Sequence, residues 1–334
     1  MALTLKQMQY FAALAAHRNF GRAAGACNVS QPALSVQIKE MEAHLGAPLV
    51  ERRARDVLLT DFGAQVLTRC QTTLAAARGV EDMARRTGRT GRAVAALRLG
   101  VIPTVAPYLL PGVLERLRAR DIQMDVTISE GKTETMLAQL DAGRLDAAVL
   151  ALPVEGTHHA VPLFEDRFVL AGAARQIDVL PGHLSPDDLL PAQGGVGQLL
   201  LLEDGHCLAD QALAVCGRDR TNDRISMQAS SLATLVQLAG QGFGATLLPE
   251  LALATEPQRH HDIRLRRFSG VEPARTIGLV RRQTTPDDGW FTALCDLIEE
   301  VGTDVTRATR NAAMSQASSP DGPTVLPKAN RTEG

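Results

Sequence analysis

The chain has 334 residues, 45% of them apolar and 22% charged, with a formal net charge of −2. That length holds two or three domains at ~100–200 residues each, and the charge balance excludes a broadly basic protein that coats nucleic acid, so any DNA-binding surface must be local. No apolar run approaches the ~20 residues of a membrane span. The N-terminus Met-Ala-Leu-Thr-Leu-Lys-Gln-Met lacks the basic start and continuous apolar stretch of a signal peptide, so a cytoplasmic protein without a membrane partner is expected. The five cysteines, Cys27, Cys70, Cys207, Cys216 and Cys295, are odd in number and show no Cys-x-x-Cys spacing. This argues against a disulfide framework and against zinc.

In chain order, Leu5, Met8, Phe11, Ala12 and Ala15 recur at helical spacing. A short helix over about 20–27 follows, and Asn28-Val29 makes a turn. Ser30 then caps a third helix with Pro32 in its first turn, and Gly46 ends it. This order predicts a helix-turn-helix. The third helix presents Gln31, Ser35, Gln37 and Lys39, beside Ser30 and Pro32, as a polar face suited to base edges and phosphates in a major groove. Residues 48–60 read as two short strands around a basic turn, whose Arg52, Arg53 and Arg55 are candidates for phosphate contact.

A longer helix from Asp61 carries Leu67, Cys70, Leu74, Ala77 and Ala84 on one seam, interrupted by Glu81. It is suited to a partner helix, or else to packing on its own domain. From Leu97 the pattern alternates: a strand 97–102, a helix about 109–120, a strand 124–128, a helix about 133–142 and a strand 146–150. It repeats between about 168 and 250. Such βαβαβ order predicts an α/β fold with mainly parallel sheets in two lobes, and ligands in such folds sit at strand carboxyl ends, which singles out Thr104. The expected domains are 1–60 for DNA binding, 61–90 as linker and dimerisation helix, 95–303 as regulatory region, and 304–334 as a tail too poor in large apolar groups to order itself.

Phe20-Gly21-Arg22-Ala23-Ala24, Ser30-Gln31-Pro32-Ala33-Leu34-Ser35 and Leu59-Thr60-Asp61-Phe62-Gly63 resemble the reading head and dimer-helix junction of LysR-type transcriptional regulators. The resemblance covers about 3–303. It implies a winged helix-turn-helix, a linker helix and a two-lobed effector domain like the periplasmic binding proteins. It also implies a homotetramer built as a dimer of dimers, with double-stranded promoter DNA and RNA polymerase as partners, and no enzymatic activity. The run Leu202-Glu203-Asp204-Gly205-His206-Cys207-Leu208-Ala209-Asp210-Gln211-Ala212, with Cys216 nine residues after Cys207, is similar to the peroxide-sensing branch of that family, the OxyR type. So are residues 102–111 and 274–279. By that resemblance Cys207 attacks hydrogen peroxide and Cys216 resolves the product as a disulfide. Thr104, His206 and Asp210 surround the peroxide, Thr133 and Arg275 complete the pocket, and a cellular thiol reductant restores the reduced form. No cofactor and no metal are implied.

Physical reading supports a switch. Cys207 opens a helix over about 208–215, where the N-terminal half-charge and a protonated His206 favour an anion. If 207–216 is helical, nine steps of ~1.5 Å separate the cysteines by roughly 13 Å, and a disulfide needs Cα atoms within ~7 Å, so bridging must unwind the helix. Ala209 stands where the family usually has a basic residue, and a slower sensor is expected. Two other readings fit the sequence: a LysR-type regulator answering a small metabolite, and a thiol peroxidase.

Overall fold

The computed structural model describes residues 3–52, 56–86, 95–119, 124–189, 198–216, 227–257, 263–285 and 289–317. They fall into two compact units. One comprises Met1–Pro103, Leu117–Pro162 and Gly278–Gly289; the other comprises Thr104–Arg116, Leu163–Ile277 and Trp290–Gly334.

The first unit opens with the helix-turn-helix. α1 (Leu5–His17) starts at a capping box, in which the Thr4 hydroxyl accepts from the Gln7 N–H and the Gln7 side chain accepts from the Thr4 N–H. α2 (Phe20–Ala26) starts at Asn19, whose side chain accepts the Arg22 N–H at 3.0 Å. Asn28 takes the left-handed conformation (φ 54°) in the turn, which its short polar side chain tolerates. α3 (Gln31–Leu45) then begins at Ser30 and ends at Gly46, also left-handed. Phe11, Leu14, Leu34, Ile38, Met41 and Leu49 are wholly removed from water in the core beneath, each contributing about 1.5–3 kcal/mol.

The wing is an antiparallel pair, β1 (Val50–Arg52) and β2 (Val57–Leu59). The Glu42 carboxylate of α3 accepts the N–H groups of Leu49 (2.8 Å) and Val50 (3.2 Å), which fixes where the wing leaves the helix. α4 (Asp61–Arg86) begins where the Thr60 hydroxyl accepts the Gly63 N–H and donates to the Pro48 carbonyl, both at 2.8 Å. A Cβ on Gly63 would lie 2.0 Å from the Leu49 carbonyl oxygen, so only glycine allows this approach. The expected pairing seam is turned inward in part. Cys70 and Leu74 are buried by the chain's own residues, with Cys70 in the helix-turn-helix core. Of the two roles open to that seam, packing on its own unit holds at these positions, while Val80 is 69% exposed.

In the same unit β3 (Ala95–Val101) pairs in parallel with β4 (Met124–Glu130) on one side and β5 (Ala147–Leu152) on the other. Asp146 pins the latter register: its carboxylate accepts the Arg98 N–H at 2.8 Å and pairs with the Arg98 guanidinium at 2.8 Å. α6 (Thr133–Asp141) lies between β4 and β5 in the chain. β6 (His158–Ala173) and β11 (Ala274–Arg282) each run from one unit into the other.

In the second unit the short α7 (Ala174–Ile177) follows β6, β9 (Thr246–Pro249) and β10 (Ile263–Arg266) both pair antiparallel with β6, and β7 (Leu201–Leu202) pairs in parallel with β8 (Gln228–Ala229). α5 (Ala106–Ala119) begins in this unit, three residues before the sequence expectation, and carries Pro111 within it. α8 (Cys207–Val215) and α9 (Leu232–Gly240) bury Leu208, Leu213, Leu235 and Val236 in a common core with Leu247 and Leu248 of β9.

The C-terminal helix α10 (Trp290–Ala317) corrects the expected disordered tail over 304–317. Thr306 is buried, and Arg310 closes a bidentate pair on Glu250, which has no exposed surface (Arg310 Nη2 to Glu250 Oε2 2.7 Å). Arg267 also bonds Glu250. Polar anchoring of this kind carries the helix past its last large apolar residues. Residues 318–334 lie outside the described ones.

Candidate functional site

The reading helix α3 presents Gln31, Pro32 and Lys39 exposed, with Ser35 and Gln37 half-buried at the same surface. Ser30 is spent on its capping role, accepting from the Ala33 N–H at 3.4 Å. Gln37 donates to Glu40 at 2.9 Å and would exchange that bond to reach a base. Val36, 51% exposed between Ser35 and Gln37, escaped the sequence reading because valine ordinarily signals core. Arg52 ends β1, whereas Arg53 and Arg55 lie outside the described residues.

The cysteine pair is laid out as the sequence predicts. Gly205, with φ 85°, makes the reversal that only glycine adopts readily, and His206 becomes the N-cap of α8. His206 is buried; Cys207, the first helical residue, is half-buried. Cys216 is the C-cap, with no exposed surface, inside the apolar core of the unit. Neither is in a disulfide, and nine helical steps of ~1.5 Å put them roughly 13 Å apart along the axis. Burial pushes the Cys27 and Cys70 thiols up, away from the thiolate form that attacks peroxide.

Residues three and four apart share a helix face, so Asp210 and Gln211 lie on the side of Cys207. Partial burial pushes the Asp210 carboxyl up. Gln211 Oε1 is buried with no hydrogen-bond partner among the described residues, an acceptor that residue type alone did not reveal. Ala209, two residues on, lies on the opposite face and is packed in the core at 1% exposure. A basic side chain there would not stand beside Cys207, so the expectation of a slower sensor from its absence is not supported by this geometry.

The second polar cluster of this unit is wholly buried. Arg275, on β11, donates from Nη1 to the Thr104 hydroxyl (2.9 Å) and from Nη2 to the Thr104 carbonyl (3.2 Å). It donates from Nε (3.0 Å) and Nη2 (2.9 Å) to Asp166 Oδ2 on β6. Asp166 Oδ1 accepts the Leu251 N–H at 3.1 Å. Burial pushes the Asp166 carboxyl up, and the Arg275 guanidinium offsets this only in part. The structure thus brings Thr104 and Arg275 into direct contact and adds Asp166, which the sequence reading did not single out, on the far side of the guanidinium. Since the Thr104 oxygen accepts from Arg275, its own O–H is left to donate elsewhere. Thr133 belongs to the other unit, where it heads α6 with its hydroxyl oxygen buried and unpartnered among the described residues.

Among the described residues no helix is long and apolar enough to cross a membrane. Residues 5–64 match the bacterial regulatory helix-turn-helix protein, lysR family, and residues 90–303 match the LysR substrate binding domain. A relative named DNA-binding transcriptional dual regulator OxyR, from Escherichia coli K12, is 38% identical over 299 residues, 89% of this chain and 95% of its own. A probable hydrogen peroxide-inducible genes activator from Mycobacterium avium is 40% identical over 302 residues, covering 89% and 94%. Among solved structures, a full-length OxyR variant from Pseudomonas aeruginosa is 31% identical with a TM-score of 0.65, covering 89% of this chain and 95% of its own. An H2O2-bound OxyR variant from Corynebacterium glutamicum is also 31% identical, with a TM-score of 0.59 and coverage of 94% and 98%. With its reading head and its regulatory region both matched, the chain belongs to the LysR family of bacterial regulatory helix-turn-helix proteins.

Proposed function

We propose that this chain is a cytoplasmic, hydrogen peroxide-responsive transcription regulator that switches through a reversible Cys207–Cys216 disulfide. The observation that carries the reading is the placement of the two thiols: one half-buried at the N-terminus of α8, the other sealed in the core at its far end. The names of the relatives point the same way.

In the first step the Cys207 thiolate attacks one peroxide oxygen. The S–O bond forms, the O–O bond breaks, and the second oxygen departs with the electron pair as hydroxide. Sulfur is oxidised to sulfenic acid and peroxide is reduced. The Thr104 hydroxyl and the Arg275 guanidinium supply donors for the oxygens. His206, Asp210 and Gln211 complete the polar surroundings, Gln211 as an acceptor of a hydrogen bond from peroxide. In the second step the Cys216 sulfur displaces water from the sulfenic acid. Because ~13 Å must shrink below ~7 Å, α8 unwinds, and the change repositions subunits and their reading heads. A thiol reductant supplies two electrons and two protons to restore the dithiol. The protein therefore consumes peroxide once per switching event instead of turning it over.

On DNA, α3 enters the major groove with Gln31, Ser35, Gln37 and Lys39, while Arg52, Arg53 and Arg55 hold phosphates. α4 joins two chains, and two such pairs form the tetramer that presents the promoter to RNA polymerase. The test is peptide mapping by mass spectrometry before and after peroxide, with DNA binding and transcription for Cys207→Ser and Cys216→Ser. A Cys207–Cys216 cross-link and loss of the peroxide response in both variants are expected. Absence of the cross-link refutes the sensor, and a peroxide-insensitive response to a metabolite would put the ligand-binding alternative in its place. Sustained peroxide consumption would make the chain a thiol peroxidase.

A further inference from the structure

We infer that Asp166 is the positioning residue of the peroxide site, acting through Arg275 to hold the Thr104 hydroxyl as a donor. The inference rests on the peroxide-sensing reading above. Arg275 has five N–H groups. Its Nε hydrogen and one Nη2 hydrogen go to Asp166 Oδ2, the other Nη2 hydrogen goes to the Thr104 carbonyl, and one Nη1 hydrogen goes to the Thr104 hydroxyl oxygen. One Nη1 hydrogen is uncommitted among the described residues, as is the Thr104 hydroxyl hydrogen. The two are neighbours, because one nitrogen already bonds that oxygen at 2.9 Å. Together they form a two-donor cradle, which is what the oxygen leaving peroxide with its electron pair requires.

Arg275 and Asp166 side chains are both 0% exposed. A guanidinium in that setting keeps one orientation only if a carboxylate holds it. The carboxylate is itself aimed, since Oδ1 takes the Leu251 N–H at 3.1 Å and Oδ2 is left for the arginine. Asp166 is 109 residues from Arg275 in the chain, touches no reactant, and would act by fixing the fork. Neutralising it frees Arg275 to turn, and Thr104 loses the bond that dictates where its hydrogen points.

The experiment uses the full chain and two reactions of Cys207. One is oxidation by H2O2, which needs the cradle; the other is alkylation by iodoacetamide, which does not. For Asp166→Asn the peroxide rate is expected to fall at least about tenfold, against the roughly 10²–10³ known for outright loss of a transition-state donor, while alkylation stays unchanged. Asp166→Glu, which keeps the charge but displaces it, should lie between. In a Thr104→Val background the Asp166→Asn loss should shrink, since the two act as one unit. Equal peroxide rates in Asp166→Asn and the native chain overturn the proposal, as does an equal loss in both reactions, which would mark general damage. If Asp166→Asn does not fold, Asp166→Glu decides alone: a selective peroxide loss supports the role and a native rate overturns it. Failure of the sensing reading itself looks different, because the native chain then forms no Cys207–Cys216 cross-link with peroxide.

Discussion

Unwinding α8 has an energetic consequence that a redox titration can read. Leu208 follows Cys207 directly and is 2% exposed, packed in the core of its unit. In the proposed switch, bridging Cys207 to Cys216 would pull this residue out of the helix and away from its pocket. Packing of Leu208 therefore stabilises the dithiol form and not the disulfide. Leu208→Ala removes about 3 kcal/mol of that packing, in the middle of the range for buried leucines. At about 30 mV per 1.4 kcal/mol for a two-electron couple, the reduction potential should shift by roughly 60 mV. The sign follows from which form is weakened: the dithiol loses stability, so the disulfide becomes harder to reduce and the potential more negative. Equilibration in thiol–disulfide buffers of set potential, with free thiols trapped by alkylation and weighed by mass spectrometry, measures the shift. A variant whose dithiol form melts earlier but whose potential stays within about 10 mV of the native value would refute the reasoning. It would mean that Leu208 is equally buried in both states and that α8 does not unwind around it.

Ala209→Arg should destabilise the protein by several kcal/mol, since an unpaired cation would replace a methyl group at 1% exposure; faster peroxide oxidation with undiminished thermal stability would contradict this. Glu250→Gln should cost about 1–3 kcal/mol through weakened charge-assisted bonds to Arg267 and Arg310, and hydrogen exchange should quicken over residues 305–317 before it does elsewhere. The Asp188 carboxyl is held below its ordinary range by the backbone N–H and hydroxyl of Ser185 (2.7 and 2.9 Å). Its stabilising contribution is present above the unfolded carboxylate range and lost as pH falls through the lowered value, so acid unfolding of Asp188→Asn should show a shallower pH dependence in that window. On DNA, the exposed Val36 of α3 is expected to bury a thymine methyl, a contact of about 0.8 kcal/mol. Deoxyuridine in place of thymidine beneath α3 should weaken native binding by that amount and leave Val36→Ser binding unchanged.

The parts of this molecule that were legible in the sequence are those set by local chemistry. Ser30 and Gly46 bound α3 because a hydroxyl and a left-handed glycine satisfy helix ends wherever they occur. The span of α8 followed from Gly205 before it, Gly217 after it and a stretch between them free of glycine and proline. Asp166 was not legible, because a carboxylate in a strand acquires its role only from an arginine 109 positions away. The inward face of Ala209 was available in principle, since two residues along a helix turn about 200°; the expectation followed the family position instead of the helical period. The seam on α4 showed its apolar spacing but not its occupant, and that occupant at Cys70 proved to be the reading head's own core. The last turns of α10 were missed because the residue that ties them to the rest of the unit, Arg310, acts by hydrogen bonds and charge where the sequence offered no apolar stripe.

That last helix sets a practical boundary. The family match ends at residue 303, and a regulatory half expressed alone and cut at that point would discard Arg310, the cation paired to the buried Glu250. Glu250 would then face the interior with Arg267 as its remaining cation, and the 3-10 turn Glu250–Ala252 that follows β9 would lose its outer brace. The same turn presents the Leu251 N–H to Asp166. Trimming a surface helix at its textual end would therefore loosen a carboxylate deep in the unit, and a fragment that carries α10 through Ala317 should respond to oxidant more like the intact chain than a shorter one does.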